Sequence, residues 1–242
     1  MDFPAESPLL ERLDPDERAD LPLFALLNEN VLSLQEDLPI QVQVAISYSV
    51  AGEEHEITQT PAITLYRNTA LSWDDSGKLA SFIMPNEGII TGFAHRVLSN
   101  IDTQYTGLPE RLVRAAKLCD AVGTYGIEYI EDPDSPFSTI LGKEQVIDTV
   151  RFPRTTLHIK SGDCDDSTAL LGSLFESSGI STAIMTSPGH VFLAFDTAEP
   201  TENHWLFQAD GFTSIRHNGT IWLPVETTTL QKGFLESWRI AS

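Results

Sequence analysis

Cys164 lies where a thiol can be put to chemical use. It sits in Ser161-Gly162-Asp163-Cys164-Asp165-Asp166-Ser167, between a Gly-Asp turn and an apolar run. Leu170, Leu171, Leu174 and Phe175 recur at the three-and-four spacing of a helix face, and Gly179 follows as a helix-closing residue. The sulfur is therefore expected in the first turn of a helix, beside unpaired N–H groups and the positive end of the helix dipole. That setting favours the thiolate, which is the nucleophile. Downstream, Ser187-Pro188-Gly189 delivers His190 to the head of the strand-like run Val191-Phe192-Leu193-Ala194-Phe195. A cysteine at a helix start and a histidine on a strand form the nucleophile-and-base pair of cysteine acyl-transfer enzymes. The flanking acids pull the other way. Asp163 is the natural N-cap and acids suit a helix start, but nearby negative charge raises a thiol pKa. The thiolate is favoured only if these carboxylates turn toward solvent or backbone N–H groups.

Three acids downstream of His190 are candidates to orient its ring. Asp196 shares a strand face with His190, but six residues of strand span roughly 20 Å, too far for a hydrogen bond. Asp210 precedes Gly211, and Asp-Gly is accounted for by a hairpin turn. Glu226 ends the apolar run Trp222-Leu223-Pro224-Val225, so its carboxylate is expected to be partly buried and to need a partner.

Gly162-Asp163-Cys164-Asp165-Asp166, then Gly189-His190, then Trp222-Leu223-Pro224-Val225-Glu226-Thr227-Thr228, preceded by Pro153-Arg154-Thr155-Thr156-Leu157, resembles the core of the bacterial transglutaminase-like cysteine peptidases. The resemblance covers roughly residues 105–240. It implies a papain-like α+β fold and a triad of Cys164 as nucleophile, His190 as base and Glu226 as orienting acid, where many relatives carry Asp. It further implies a peptide or protein substrate, cleavage of a peptide or isopeptide bond, and a periplasmic or secreted setting for a chain that is part of a larger multidomain protein. Protein-glutamine transamidation shares the acyl-enzyme and differs only in whether water or an amine arrives second. A non-catalytic binding module of the same fold is the alternative from another class.

No cofactor is implied. His158, His204 and His217 show none of the tight ligand spacings of a zinc site. Calcium on Asp163, Asp165 and Asp166 is an alternative use of the acids, because such sites take carboxylate oxygens. The 35 acidic and 15 basic residues give a net charge of −20, a poor match for nucleic acid. No segment approaches the roughly 18 apolar residues of a membrane helix, and the N-terminus lacks the basic and apolar regions of a signal peptide. With only Cys119 and Cys164, a disulfide framework is not expected, and Cys119 falls on an amphipathic helix pattern that predicts a core position.

The elements around these residues divide into an N-terminal extension, 1–95, with a small antiparallel β unit, and a catalytic core, 96–242. In the extension a helix is expected over 21–34. Strict alternation over 40–50 and a looser pattern over 57–66, marked by Pro61, predict a half-buried hairpin. Helices follow from Pro85 and from Pro109, and 125–130 is extended. A loop is expected at 132–136, then strands at 182–186, 190–196, 204–209 and 220–226, with Asn218-Gly219 as a hairpin turn. A last helix starts near Gly233.

Overall fold

A computed structural model describes residues 5–99, 107–131 and 147–241, which form two compact units dividing at Asn68 and Thr69. In the first unit the alternating pattern does make a hairpin, but a broken one. Strands β1 (Leu38–Gln41), β2 (Val44–Val50), β3 (Glu53–Gln59) and β4 (Ala62–Leu65) pair antiparallel, β1 with β4 and β2 with β3. The break falls at Pro61, which has no N–H to give to the ladder; its carbonyl still accepts from Val42 N–H at 3.0 Å. Ile46 faces Ile57, and the ring of Tyr48 stacks on His55 at 5.3 Å, yet these side chains remain exposed rather than half-buried. The helix expected over 21–34 does not form; only a 3-10 turn, Glu29–Ser33, appears, capped by the Asn28 side chain. Leu23, Phe24 and Leu26 find no core there, and an amphipathic helix draws most of its stability from such packing.

The second unit is α+β. It begins with β5 (Ala70–Ser72) and a 3-10 segment, Ser76–Phe82. Leu71, Leu79 and Phe82 are buried with Val191, while Ile90 and Phe93 join the main core, so residues 69–95 pack with the larger unit and not with the extension to which the sequence assigned them. Helices α1 (Gly88–Leu98) and α2 (Glu110–Tyr125) follow, the latter ending in Gly126 at φ 87°. Next come β6 (Glu128–Tyr129), β7 (Ile147–Thr149), which pairs with β5, and α3 (Pro153–Ile159). The expected 132–136 loop lies outside the described residues. Pro153 opens α3 where a missing N–H does no harm, and Lys160 closes it at φ 58°. This seven-residue helix is too short to show a periodicity.

A two-residue strand, β8 (Ser161–Gly162), then leads into α4 (Cys164–Ser177), the central helix. Its periodic residues Leu170, Leu171, Leu174 and Phe175 are all fully buried. They pack on a four-stranded antiparallel sheet in the order β11 (Ile215–His217), β12 (Thr220–Val225), β10 (His190–Pro200), β9 (Thr182–Ser187). Phe175 meets Phe195 of β10 edge-on at 5.3 Å. The β11–β12 turn is Asn218-Gly219, with φ 49° and 83°, as its sequence predicts. The strand expected at 204–209 is instead a 3-10 segment, Thr201–Phe207: only Phe207 of that apolar run is buried, and Trp205 is 62% exposed. A further 3-10 segment, Thr227–Lys232, and α5 (Phe234–Ile240) cover the end of the core.

Helix α2 approaches the 227–232 segment so closely that a Cβ on Gly123 would lie 2.3 Å from the Leu230 carbonyl oxygen. Gly92 in α1 has nothing within 4 Å of the same position. The two alanine substitutions should therefore act with opposite sign. Gly123→Ala is expected to destabilise by about 1–3 kcal/mol through overpacking, and Gly92→Ala to stabilise by up to about 1 kcal/mol through helix propensity. Urea unfolding of both variants measures this, and equal effects would contradict the packing described.

Candidate active site

Cys164 is the first residue of α4, as its sequence context predicts. Asp163 is the N-cap and accepts from Asp166 N–H at 3.2 Å. The thiol is partly exposed and packs among Leu71, Leu79, Phe82, Val150, Ala169 and Val191. The backbone N–H groups of Val191 and Asp165 are directed at the sulfur. The first of these belongs to the residue after His190, so the head of β10 is brought onto the start of α4.

His190 begins β10 and its ring stacks on Phe192 at 5.9 Å, with 19° between the planes. Its Nε2 lies 2.7 Å from Oε2 of Glu226. Glu226 is 7% exposed and follows β12, which pairs with β10 so that Val225 stands opposite Leu193. The other carboxylate oxygen, Oε1, accepts from the Thr228 N–H at 2.9 Å and the Thr228 hydroxyl at 2.7 Å. Burial alone would raise this carboxyl pKa, but the His190 bond and the two Thr228 donors outweigh it and hold it below its ordinary value. Thr227, the next residue, closes the ring: its hydroxyl donates to the Cys164 carbonyl at 3.4 Å and meets the Thr168 hydroxyl at 3.0 Å.

The other acid candidates are engaged elsewhere or remote. Asp196 is bonded at 2.6 Å to Arg111 of α2, and Asp210 is exposed in the turn that precedes Gly211. Cys119 is fully buried on the core face of α2.

Two of the three aspartates do not turn to solvent, while Asp163 is partly exposed. Asp165 and Asp166 are each 1% exposed. Asp166 accepts from the Arg151 backbone N–H and from Arg151 Nη1, both at 2.6 Å. Burial, aided by Asp163, still pushes its pKa up to about 6 against the pull of Arg151. Among the described residues no cation pairs with Asp165; burial, and then the neighbouring Asp163, raise its carboxyl pKa well above the ordinary value. Among the described residues these three carboxylates are the one group with donor atoms close enough together for a metal, within 4.8 Å. Within it Asp163 caps the helix and Asp166 is engaged with Arg151. His158, His204 and His217 do not join it.

The thiol pKa is where the sequence expectation is reversed. Burial, and then Asp165 and Asp163, push Cys164 up to about 12, more than the helix start and two N–H groups can offset. The burial therefore favours the thiol over the thiolate at rest.

Matched against protein-family models, curated proteins and solved structures, the chain finds no counterpart. Among the described residues no helix is long and apolar enough to cross a membrane.

A buried thiol of this kind should titrate without an early plateau. Between pH 6 and 9 the rate of Cys164 alkylation by iodoacetamide is expected to climb about tenfold per pH unit, because only the growing thiolate fraction reacts. Cys119 should lag far behind throughout. Peptide mapping after timed exposure measures both, and a plateau below pH 8 would show a preformed thiolate instead.

Proposed function

We propose that the protein is a thiol acyl-transfer enzyme of the transglutaminase-like, papain-like type. It hydrolyses peptide or isopeptide bonds through Cys164, His190 and Glu226. The observation that carries this reading is the 2.7 Å contact between His190 Nε2 and the Glu226 carboxylate, made on the strand whose next residue, Val191, belongs to the cluster that packs against Cys164. A buried carboxylate with a depressed pKa fixes the ring tautomer: Nε2 keeps its hydrogen toward Glu226, and Nδ1 is left with the lone pair.

Because the thiol starts protonated, proton removal and attack belong to one step. Cys164 Sγ forms a bond to the substrate carbonyl carbon as His190 Nδ1 takes the sulfur's proton, and the carbonyl π pair moves onto oxygen. The C–N bond then breaks, and the imidazolium returns the proton to the leaving amine. Water, activated by the same nitrogen, releases the acid and restores the thiol. Glu226 stabilises the imidazolium while it exists. The Cys164 backbone N–H, in the first turn of α4, is a donor for the oxyanion. An amine in place of water would make the same enzyme a transamidase.

Two mutant sets test this. Cys164→Ala and His190→Ala should each abolish turnover of any peptide p-nitroanilide found by screening, with unchanged circular dichroism. The double variant should be little worse than either single one, as expected of groups acting together. Persistent turnover in Cys164→Ala would rule out the covalent route.

Glu226→Gln keeps the shape but can present an amide NH₂ to the ring, so a loss on the order of a hundredfold or more is expected. Asp210→Asn should be nearly silent, because turn geometry accepts either residue. The reverse pattern in kcat/KM would move the orienting role to Asp210.

A further inference from the structure

We propose that Thr227 is a positioning residue of the same site, its buried hydroxyl holding the first turn of α4 at a fixed distance from the segment that carries Glu226; this rests on the thiol acyl-transfer reading. The placement is given by distances. Thr227 Oγ1 lies 3.4 Å from the Cys164 carbonyl oxygen and 3.0 Å from the Thr168 hydroxyl. Thr227 also follows Glu226 directly, so one peptide bond and one hydrogen bond join the orienting acid to the residue of the nucleophile. The hydrogens have a definite order. A carbonyl only accepts, and a hydroxyl has one hydrogen. Thr227 therefore donates to the Cys164 carbonyl and accepts from Thr168. Cys164 and Thr168 stand about one turn apart on α4, so the helix is gripped at two points.

The core leaves this distance to be set. The β10–β12 ladder places His190 and Glu226 relative to each other. Helix α4 meets that sheet through Leu170, Leu171, Leu174 and Phe175, and apolar contacts of this kind have no direction. A hydroxyl has one. Thr168 is fully buried and Thr227 nearly so, and among the described residues neither hydroxyl has a further partner. A 3.4 Å bond is long and adds little by itself. Breaking it costs more than it adds, because a hydroxyl out of water is left unsatisfied. One placement of the helix start satisfies all three groups, and a slide of the helix orphans at least one of them.

The chemistry depends on that placement. Sγ gives its proton to His190 Nδ1 as it attacks, and the transfer requires the two atoms within hydrogen-bond reach. Glu226 fixes the ring from one side at 2.7 Å, and Thr227 fixes the turn that bears the thiol from the other. A misplacement of about 1 Å costs on the order of a hundredfold in rate, even when it arises away from the reacting atoms. The Thr227 hydroxyl contacts the backbone of Cys164, so its loss should slow acyl transfer and leave the thiol as accessible as before.

Two valine substitutions separate positioning from stability. Thr227→Val keeps the side-chain shape, breaks the link and leaves the Thr168 hydroxyl buried, so its Tm is expected to fall. Adding Thr168→Val removes both hydroxyls; no orphan remains, and Tm should rise back toward that of the unaltered chain. The rate should not recover. The probe is p-nitrophenyl acetate at pH 7, at a temperature well below each Tm. Cys164 Sγ bonds to the acetyl carbon, nitrophenolate leaves and the thiol proton passes to His190. Acetylation of Cys164, read by intact mass, is expected to slow at least about tenfold in Thr227→Val and in the double variant. In Thr227→Ser, which keeps the hydroxyl, it should stay within about threefold of the unaltered rate. Alkylation by iodoacetamide, which has no need of His190, should change less than about twofold in all three. Acetylation at the unaltered rate in Thr227→Val, recovery of rate together with Tm in the double variant, or equal slowing in Thr227→Ser overturns the role of Thr227 while leaving the Cys164–His190 reading in place. Unslowed acetylation in His190→Ala overturns that reading and this inference together.

Discussion

Two carboxylates enter the protein interior at the start of α4 with a single guanidinium between them. Burying a carboxylate is expensive unless it is paired or hydrogen-bonded, and the chain uses both remedies within four residues. Asp163 caps the helix N-terminus, Asp165 accepts from the Asp166 N–H at 2.6 Å, and Asp166 grips Arg151 by backbone and side chain. The neighbourhood is shaped to that solution. Position 162 has to be glycine, because a Cβ there would lie 2.7 Å from Asp166 Cβ and 3.2 Å from the Thr156 side chain. Arg151 holds the chain between β7 and α3 at the helix start. Burial of the sulfur first, and the crowding of acids after it, hold the Cys164 proton in place.

A second set of contacts joins three elements distant in sequence into one corner. β10 contributes His190 and the Val191 N–H, β12 delivers Glu226, and the hydroxyl of Thr227 returns to α4 at the Cys164 carbonyl and Thr168. The β10–β12 ladder fixes the spacing, because a one-residue slip would turn every side chain on one strand to the opposite face. The full burial of Leu193, Leu223 and Val225 makes such a slip costly. The placing of His190 beside Glu226 is therefore set by the core and not by the site's own polar bonds.

What could be seen in the sequence was whatever repeats or sits at a chemically marked junction. The α4 periodicity, the Asn218-Gly219 turn and the placing of Cys164 and His190 at element starts were legible on those grounds. Glu226 showed itself as an acid behind an apolar strand. The charge state of the thiol was not legible, because it depends on where three carboxylates point and sequence gives only their adjacency. The failures over 21–34 and 204–209 share a cause. In both, apolar residues were read as one face of a buried element, and Phe24, Leu26 and Trp205 in fact find no core to enter. The extension's boundary was misplaced for the converse reason: Leu71, Leu79 and Phe82 carry no strong periodic pattern, yet they pack against the second unit's sheet.

A sulfur that rests as a thiol has consequences for its survival. Peroxides attack the thiolate, and the climb from sulfenic to irreversible sulfinic and sulfonic acids begins only there. With its pKa pushed up to about 12, Cys164 presents almost no thiolate to a passing oxidant while the site is empty. Thiols that rest as ion pairs need a reducing surrounding to survive; burial, with the neighbouring acids adding to it, protects this one. The burial that makes the sulfur slow to ionise also makes it durable in oxidising surroundings.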